Sequence, residues 1–528
     1  MSPEKSALVL FTRHRLHTST SVKMCGLDIP IKKDYKYLGM VLDSKLIWNK
    51  HIEHIKSKCD YGTNMLKCVI KTKWGAAPVI ALQFYRAYIR SILDYGSPLY
   101  GVAAVCHLRA VDRIQYNALR ICIGAMKSSP VQAILVEVQD PPLYIRRNYL
   151  ASKEVIKLKT FSFNSAIMKS VYQLAINNLT SNYWKFKKGP MLAEAFINTE
   201  VDVESKYSKL PIYDLDFDAI MFRPTVIFPK YNESSAYNKA LLRSILGRYN
   251  NYMNIYTDGS KSSSGTGLAF LVPNTNLHYK CKIPESCSIF TAETLAIDRA
   301  LKWLIEVNIS QNAVILSDSK SVLAALTNLN FFKMGNSEIM CQLKQRIFTL
   351  ETSKRNEKAD ELAKEAASGT KLFKISPFYD LVNSARKNMR LSWDLHWQDF
   401  TTKSKNHYTL IHPKVPCKTP HISNFNVTRK YAVSITRLKL NHGKFPAHLN
   451  KIGLAESPYC SCDNLSIGDL NHIFFSCKNF IHAIKQLQEI LITNSIPLPV
   501  NITTLLDTHN KNIFDALVNF MNSIQMDI

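Results

Sequence analysis

Four acidic residues stand where carboxylates could meet around a divalent cation. Asp258 closes a strand-like run, Asn254-Ile-Tyr-Thr-Asp258, and Asp318 closes a second one, Ala313-Val-Ile-Leu-Ser-Asp318. Glu293 opens an amphipathic helix, Ala292–Val307, whose buried stripe is read as Leu295, Leu301, Leu304 and Ile305. Asp360 lies in the first turns of a helix beginning near Asn356. If the two strands are parallel neighbours, both aspartates emerge at one sheet edge, and a helix N-terminus can bring Glu293 alongside. Clustered carboxylates repel, and a cation that joins them favours their ionised state. Mg²⁺ takes oxygen ligands and keeps several waters, so three or four carboxylates in an open cleft suit it. Two such ions about 4 Å apart can activate a water and steady the leaving oxygen of a phosphodiester. Singly, each acid has a plainer role. Asp258 could be a turn residue before Gly259 and Asp318 a helix N-cap. Glu293 could serve the helix dipole, and Asp360 a solvated helix face.

A second constellation lies near the C-terminus, where Cys460-Ser-Cys462 is followed by His472 and Cys477 in the spacing C-x-C-x9-H-x4-C. Three thiolates and an imidazole suit tetrahedral Zn²⁺. The alternative is two core cysteines and a buried histidine beside Phe474 and Phe475. A weaker metal grouping is His51-Ile-Glu-His54 with Cys59, since two histidines three apart on a helix are usually surface residues. Asp214, Asp216 and Asp218 alternate, but no Gly and distal Glu complete a calcium loop. Gly259-Ser-Lys-Ser-Ser-Ser-Gly-Thr-Gly267 lacks the phosphate-loop order and joins two strands, so it reads as a hairpin turn.

The elements that must position these residues divide the 528-residue chain into regions. Residues 1–150 open with extended runs at Ala7–Thr12 and Tyr37–Asp43 and turn helical from Trp48. One helix is expected with Phe84, Ala87, Tyr88 and Ile92 inward and Arg86 and Arg90 outward. Another is expected with Val111, Ile114, Ala118, Leu119 and Cys122 inward. Residues 151–249 read as a connection, with Lys185, Lys187 and Lys188 clustered. Residues 250–370 read as three strands in an antiparallel meander, a helix, a strand and a helix, which is a mixed α/β sheet. Residues 371–528 form a helical tail. The expected class is α/β, a mixed sheet flanked by mainly helical N- and C-terminal regions.

Charge sets the partner class. The chain carries 67 Lys and Arg against 41 Asp and Glu, a net charge of +26. The excess is uneven: 25 basic against 11 acidic residues in 1–160, but 13 against 12 in 250–370. A positive field of this size draws in polyanions, nucleic acid above all. With 46% hydrophobic and 20% charged residues the chain is globular rather than disordered. No apolar run approaches the ~18 residues of a membrane span. Most of the twelve cysteines sit singly in apolar stretches, as reduced core thiols do. A soluble intracellular protein without membrane partners is expected.

Four blocks in the region 250–370 resemble the signature of type 1 ribonuclease H and occur in its order. They are Tyr256-Thr-Asp-Gly-Ser-Lys261, Phe290-Thr-Ala-Glu-Thr-Leu-Ala296, Ile315-Leu-Ser-Asp-Ser-Lys-Ser-Val322 and Arg355-Asn-Glu-Lys-Ala-Asp-Glu-Leu-Ala-Lys364. The resemblance implies a ribonuclease H-like sheet. It also implies that Asp258, Glu293, Asp318 and Asp360 hold two Mg²⁺ ions and cleave RNA within an RNA/DNA hybrid. The chain departs from that family before the last block. Leu350-Glu-Thr-Ser-Lys-Arg355 runs straight into Asn356, and no histidine stands between Asp318 and Asp360, so the family's His-x-Gly loop is missing.

The flanks resemble proteins of jockey-like non-LTR retrotransposons. The likeness rests on Lys36-Tyr-Leu-Gly-Met-Val-Leu-Asp43, Tyr85-Arg-Ala-Tyr-Ile-Arg-Ser-Ile-Leu-Asp-Tyr-Gly-Ser-Pro98 and Ala118-Leu-Arg-Ile-Cys-Ile-Gly-Ala-Met126. It continues in Arg437-Leu-Lys and Ser457-Pro-Tyr-Cys460. It implies a reverse transcriptase thumb-like remnant in 1–150 and the elements' Cys/His tail in 371–528. No Tyr-x-Asp-Asp motif occurs, so DNA synthesis is not expected of this polypeptide.

Overall fold

Two β-hairpins open the fold: β1 (Val22–Met24) with β2 (Leu27–Ile29), and β3 (Asp34–Tyr37) with β4 (Met40–Asp43). The main helices of the N-terminal region are α1 (Asn49–Val69), α2 (Val105–Ile123) and α3 (Val131–Val138). Next come β5 (Met253–Ser262), β6 (Gly265–Val272), β7 (Leu277–Ile283), α4 (Ile289–Val307), β8 (Ala313–Leu316), α5 (Lys320–Thr327) and α6 (Ser337–Leu350). The long α7 (Phe378–Lys403), then α8 (Arg429–Lys439), α9 (Leu470–Phe475) and α10 (Lys511–Ser523) lead to the C-terminus, with shorter helices between them. This computed structural model describes residues 6–12, 22–161, 166–182, 184, 189–199, 221–228, 235–263, 265–275, 277–307, 312–328, 337–350, 377–404, 406–417, 419, 422 and 427–526. Asp360 with its expected helix, the Lys185/Lys187/Lys188 cluster and the Asp214/Asp216/Asp218 run lie outside the described residues.

The chain folds into two units, residues 151–387 and residues 1–150 together with 388–528. In the second of these, the N- and C-terminal stretches share one apolar core. Ile52, Ile55, Leu66, Val111, Leu119 and Ile134 pack in the same cluster as Trp393, Trp397, Tyr408 and Leu440. Arg429, the first residue of α8, is buried and fastens the two stretches together. Its guanidinium donates to the carbonyls of Lys71, Ala76 (3.1 Å), Ile121 (2.8 Å) and Cys122 (2.9 Å). Two of these lie in the last turn of α2, where carbonyls lack intrahelical donors and a cation suits the dipole. Arg437 adds a bond to the Gly124 carbonyl (2.7 Å).

Local chemistry explains where this unit departs from the periodicity reading. The run Tyr37–Asp43 is not one strand: Leu38 and Gly39 both take positive φ and turn β3 back into β4, as a two-residue hairpin loop requires. Asp43 then closes the path into α1 by accepting the N–H groups of Ile47 (3.0 Å) and Trp48 (2.8 Å). Of the Ala7–Thr12 run only an isolated bridge forms, between Leu8 and Ile31. In the helix around residues 84–92 the buried stripe is Tyr85, Ile89 and Leu93, while Ala87 and Tyr88 face outward. A π-turn at Tyr85–Ile89 shifts the face there. Arg86 and Arg90 are not free surface charges either; they bind the Val138 carbonyl and Asp140. In α2 the expected stripe of Val111, Ile114, Ala118, Leu119 and Cys122 is buried.

The unit 151–387 is built on one four-stranded sheet in the order β7-β6-β5-β8. β5, β6 and β7 form the expected antiparallel meander, and β8 runs parallel to β5. α4 covers the sheet with Leu295, Ile297, Leu301 and Leu304, whereas Ile305, read as part of that stripe, is exposed. The Gly/Ser-rich stretch is mostly strand rather than turn. Gly259, Ser260, Lys261 and Ser262 pair with Leu268, Gly267, Thr266 and Gly265. Gly259 is required by packing: a Cβ there would lie 2.6 Å from the backbone nitrogen of Glu293. Arg346 on α6 pairs with the buried Asp298 of α4 at 2.5 Å, which ties the two helices.

Two outcomes follow from this packing. Gly259→Ala forces α4 off β5 and destabilises the unit 151–387 by about 1–3 kcal/mol, read as a lower urea midpoint. In the other unit, burial pushes His51, His407 and His448 down to about 4. The unfolded chain therefore takes up protons below its ordinary imidazole value of 6.5 while the folded one does not. The contribution of these histidines to stability is level near pH 7 and falls as pH drops from 6.5 towards 4, measured by urea denaturation followed by tryptophan fluorescence without added metal.

Candidate metal centres

The parallel pairing of β5 with β8 aligns Tyr256 with Leu316. Two residues beyond that pair, on the respective strand continuations, come Asp258 and Asp318. Asp258 sits within β5 opposite Ala269 and is buried, so it is a strand residue and not a turn residue. Asp318 lies just past β8 and is exposed, and Ser319, not Asp318, occupies the N-cap position of α5. Glu293, in the second turn of α4, is buried against the sheet at the point where Gly259 leaves room for the helix. A carboxylate oxygen from each of Asp258, Glu293 and Asp318 lies within 4.8 Å of the others. Of the four acids expected at one site, Asp258, Glu293 and Asp318 lie together; the fourth, Asp360, is outside the described residues.

The end of α4 that carries Glu293 is held from several sides. Ser288 Oγ accepts the Thr291 N–H (3.2 Å), in the manner of an N-cap. Asp380, buried at the start of α7, accepts from the Ser288 N–H (3.1 Å) and from Thr291 Oγ1 (2.5 Å). The Lys261 ammonium binds the carbonyls of Glu285 (2.6 Å) and Cys287 on the approach to the helix. Sequence reading missed Asp380, because its partners are 89 and 92 residues away. A set of three converging carboxylates, two of them buried, could hold a hard divalent cation, since oxygen ligands suit such an ion and its charge would offset the mutual repulsion.

The C-terminal constellation also assembles. Cys460 Sγ lies 3.6 Å from Cys477 Sγ, and Cys462 Sγ lies 3.2 Å from His472 Nε2; the four ligand atoms are all within 4.8 Å of one another. A tight turn presents the two leading cysteines. Cys460 donates its N–H to Ser466 (2.8 Å) and accepts from Asn464 (2.9 Å), while the Asp463 carboxylate collects the N–H groups of Leu465 and Ser466. Asp469 caps α9 by accepting the His472 N–H (2.8 Å), which aims the imidazole. Burial pushes the Cys477 thiol up to about 12, with the Cys460 and Cys462 thiols adding to the shift. Soft sulfur with one imidazole at these separations is a donor set for Zn²⁺.

The weaker grouping at His51 does not form. His51 is buried, accepts the Val41 N–H at 3.3 Å and packs edge-on to Tyr100, while Cys59 is a core thiol. A grouping invisible to sequence reading does form, from His412, Asp507 and His509. The imidazoles stack at 5.7 Å, and the buried Lys439 Nζ lies 3.2 Å from His412 Nε2. This is an internal polar network around a lysine, with Glu137 and Asp507 close enough to favour its charge against the larger opposing effect of burial.

No protein-family model matches the chain. It is 27% identical over 158 residues to the RNA-directed DNA polymerase from mobile element jockey of Drosophila melanogaster, matching 30% of this chain and 17% of that protein. It is 22% identical over 159 residues to the putative 115 kDa protein in type-1 retrotransposable element R1DM of the same fly, 30% of this chain and 16% of that protein. It is 24% identical over 124 residues to the probable RNA-directed DNA polymerase from transposon X-element, 24% of this chain and 14% of that protein. The chain thus spans less than a fifth of the length of these curated relatives. The expected likeness to jockey-like non-LTR retrotransposon proteins holds over about 30% of the chain.

Proposed function

We propose that the chain is part of a retroelement protein whose residues 250–370 form a type 1 ribonuclease H, hydrolysing the RNA strand of an RNA/DNA hybrid. The observation that carries this reading is the convergence of Asp258 within β5, Glu293 in the second turn of α4 and Asp318 just past β8, the strand parallel to β5. Each of these acids lies within a sequence block that resembles the family's. Asp360, from the fourth block, completes the ligand set by the same resemblance. In the other regions, 1–150 is read as a thumb-like remnant, 151–249 as a connection and 371–528 as a Cys/His tail. The curated relatives support a retroelement origin and a nucleic-acid partner. The chain carries no Tyr-x-Asp-Asp, and DNA synthesis is not proposed for it.

Asp258, Glu293, Asp318 and Asp360 would hold two Mg²⁺ ions. When bound, such ions supply an activated water and neutralise charge at the leaving oxygen. The residues' own part is to fix the ligand oxygens. Asp258 and Glu293 are buried in the frame of β5 and α4, while Asp318, exposed at the end of β8, marks the side on which a phosphodiester arrives. The basic regions hold the nucleic acid through its phosphates with little sequence preference, and 2′-hydroxyl contacts distinguish the RNA strand.

A second reading has one specific observation in its favour. No histidine stands between Asp318 and Asp360, so the proton-handling loop of the resembling family is missing. On that reading the chain binds nucleic acid without turning it over. Incubating the full chain with a labelled RNA/DNA hybrid separates the two. The ribonuclease reading expects Mg²⁺-dependent cutting of the RNA strand, reduced at least a hundredfold by Asp258→Asn with hybrid binding retained. Binding by a folded protein with no cutting at any Mg²⁺ concentration overturns it and leaves the second reading.

For the tail we propose Zn²⁺ on Cys460, Cys462, His472 and Cys477. Metal analysis of the purified chain is expected to find one zinc per molecule, lost in Cys477→Ser, with a lowered melting temperature. Zinc-free protein of unchanged stability reduces the cluster to core thiols.

A further inference from the structure

We propose that a cationic cleft in the unit formed by residues 1–150 and 388–528 binds the phosphate backbone of a nucleic-acid duplex, apart from the carboxylate site. The cleft has a volume of about 860 Å³ and is lined by one face of α1, one face of α2 and Arg429 and Arg437 of α8. Six basic side chains line it besides Arg429 and Arg437: Lys56, Lys67, Lys71, Arg113, Arg120 and Lys127. Asp60 is the sole carboxylate among its described lining residues. Such a density of like charge costs stability unless a polyanion balances it.

The roles of these cations divide by burial and bonding. Arg429 and Arg437 are engaged with backbone carbonyls, and they brace the back of the cleft by clamping α8 to the end of α2. Lys56, Lys67, Lys71, Arg113 and Lys127 are exposed, with the Lys67 ammonium donating to Asn64 Oδ1 at 3.2 Å. Arg120 is half-buried between the two sets, with one guanidinium nitrogen on Asn117 (3.4 Å). Lys56 and Lys67 stand about 16 Å apart along α1 at 1.5 Å per residue, and Arg113 and Arg120 about 10 Å apart along α2. Two tracks of that length match a run of several phosphates, not a single phosphate ion.

The lining also says which nucleic acid. Among the described residues of the cleft none is aromatic; the floor is Ile70, Ala110, Ile114, Ile121 and Ala125. Recognition of single strands relies on rings on which bases stack. A groove with cations and no rings reads the backbone of a stacked duplex, without base preference. A concave site also disfavours a flat anionic bilayer, whose headgroups do not enter it.

The inference rests on the nucleic-acid part of the proposed function but not on catalysis. The test is fluorescence anisotropy with the full-length chain, a labelled 20-base-pair RNA/DNA hybrid, the matching single strands and a salt series, without added divalent metal. The charge-reversal variant Lys67→Glu/Arg113→Glu/Lys127→Glu is compared with the neutral variant Lys67→Gln/Arg113→Gln/Lys127→Gln and with Asp258→Asn. The expected result is at least a tenfold loss of hybrid affinity in the reversal variant and a smaller loss in the neutral one. The slope of log affinity against log salt should shrink by about 2–3, at ~0.9 per lost phosphate contact, while Asp258→Asn binds as the parent does. Either of two results overturns the proposal: unchanged affinity and slope in both triple variants, or cleft-dependent binding of single strands or phosphatidylserine vesicles in preference to the hybrid. Absence of cutting by the parent chain in added Mg²⁺, with cleft-dependent binding intact, would count against the ribonuclease reading alone.

Discussion

The carboxylate site depends on one steric fact, the absence of a side chain at Gly259. A strand and a helix normally keep the distance that their side chains impose. Here the backbone nitrogen of Glu293 stands where a Cβ at residue 259 would be 2.6 Å away. That approach brings an acid from α4 beside an acid from β5, and the parallel register of β5 with β8 supplies the third. The surrounding bonds serve the same end. Ser288, Thr291 and Asp380 fix the first turn of α4, Lys261 fixes the segment before it, and the Arg346–Asp298 pair fixes its far side. Like charges so close do not gather by their own attraction; the scaffold holds them, and a cation would offset the repulsion that remains.

A comparable clamp organises the other unit. Residues 1–150 and 388–528 are far apart in the chain, yet they share one core and one buried guanidinium. Arg429 directs its donors to the carbonyls at the end of α2 and after α1. Because it is committed to the backbone, the neighbouring exposed cations form a wall of fixed shape. The excess charge counted in the sequence thus becomes a cleft with a defined direction. The same unit buries a second polar network, in which Tyr408 donates to Glu137 (2.6 Å) and Lys439 meets His412. It joins α3 to the C-terminal helices by bonds that an apolar contact could not orient.

Much of the site was legible before the fold. Asp258 and Asp318 each follow a short apolar run, and Glu293 precedes an apolar stripe of helical period; these patterns are local, so the strands and α4 could be read directly. The turns were read less well. Gly259 to Ser262 looked like a loop because its composition is that of a loop, but ladder pairing with β6 drew it into the strand. Ile305 looked buried because the period placed it there, but the core takes Leu301 and Leu304 and leaves Ile305 exposed. The π-turn at Tyr85–Ile89 displaced a stripe that a strict period put at Ala87 and Tyr88.

By itself the sequence determined the residue chemistry: which side chains are acids, which can ligate zinc, how much positive charge the chain carries, and the order of strands and helices around Asp258, Glu293 and Asp318. These are properties of composition and short-range period, and they survive without knowledge of contacts. Only the tertiary structure decided that β8 lies parallel to β5, that Gly259 admits α4, and that Asp380 secures its first turn. It alone decided that residues 388–528 pack on residues 1–150, and that Lys56, Arg113 and Arg437 line one cleft. Each of these joins residues tens to hundreds of positions apart. Such pairings follow from which surfaces bury together, and no local pattern along the chain encodes them.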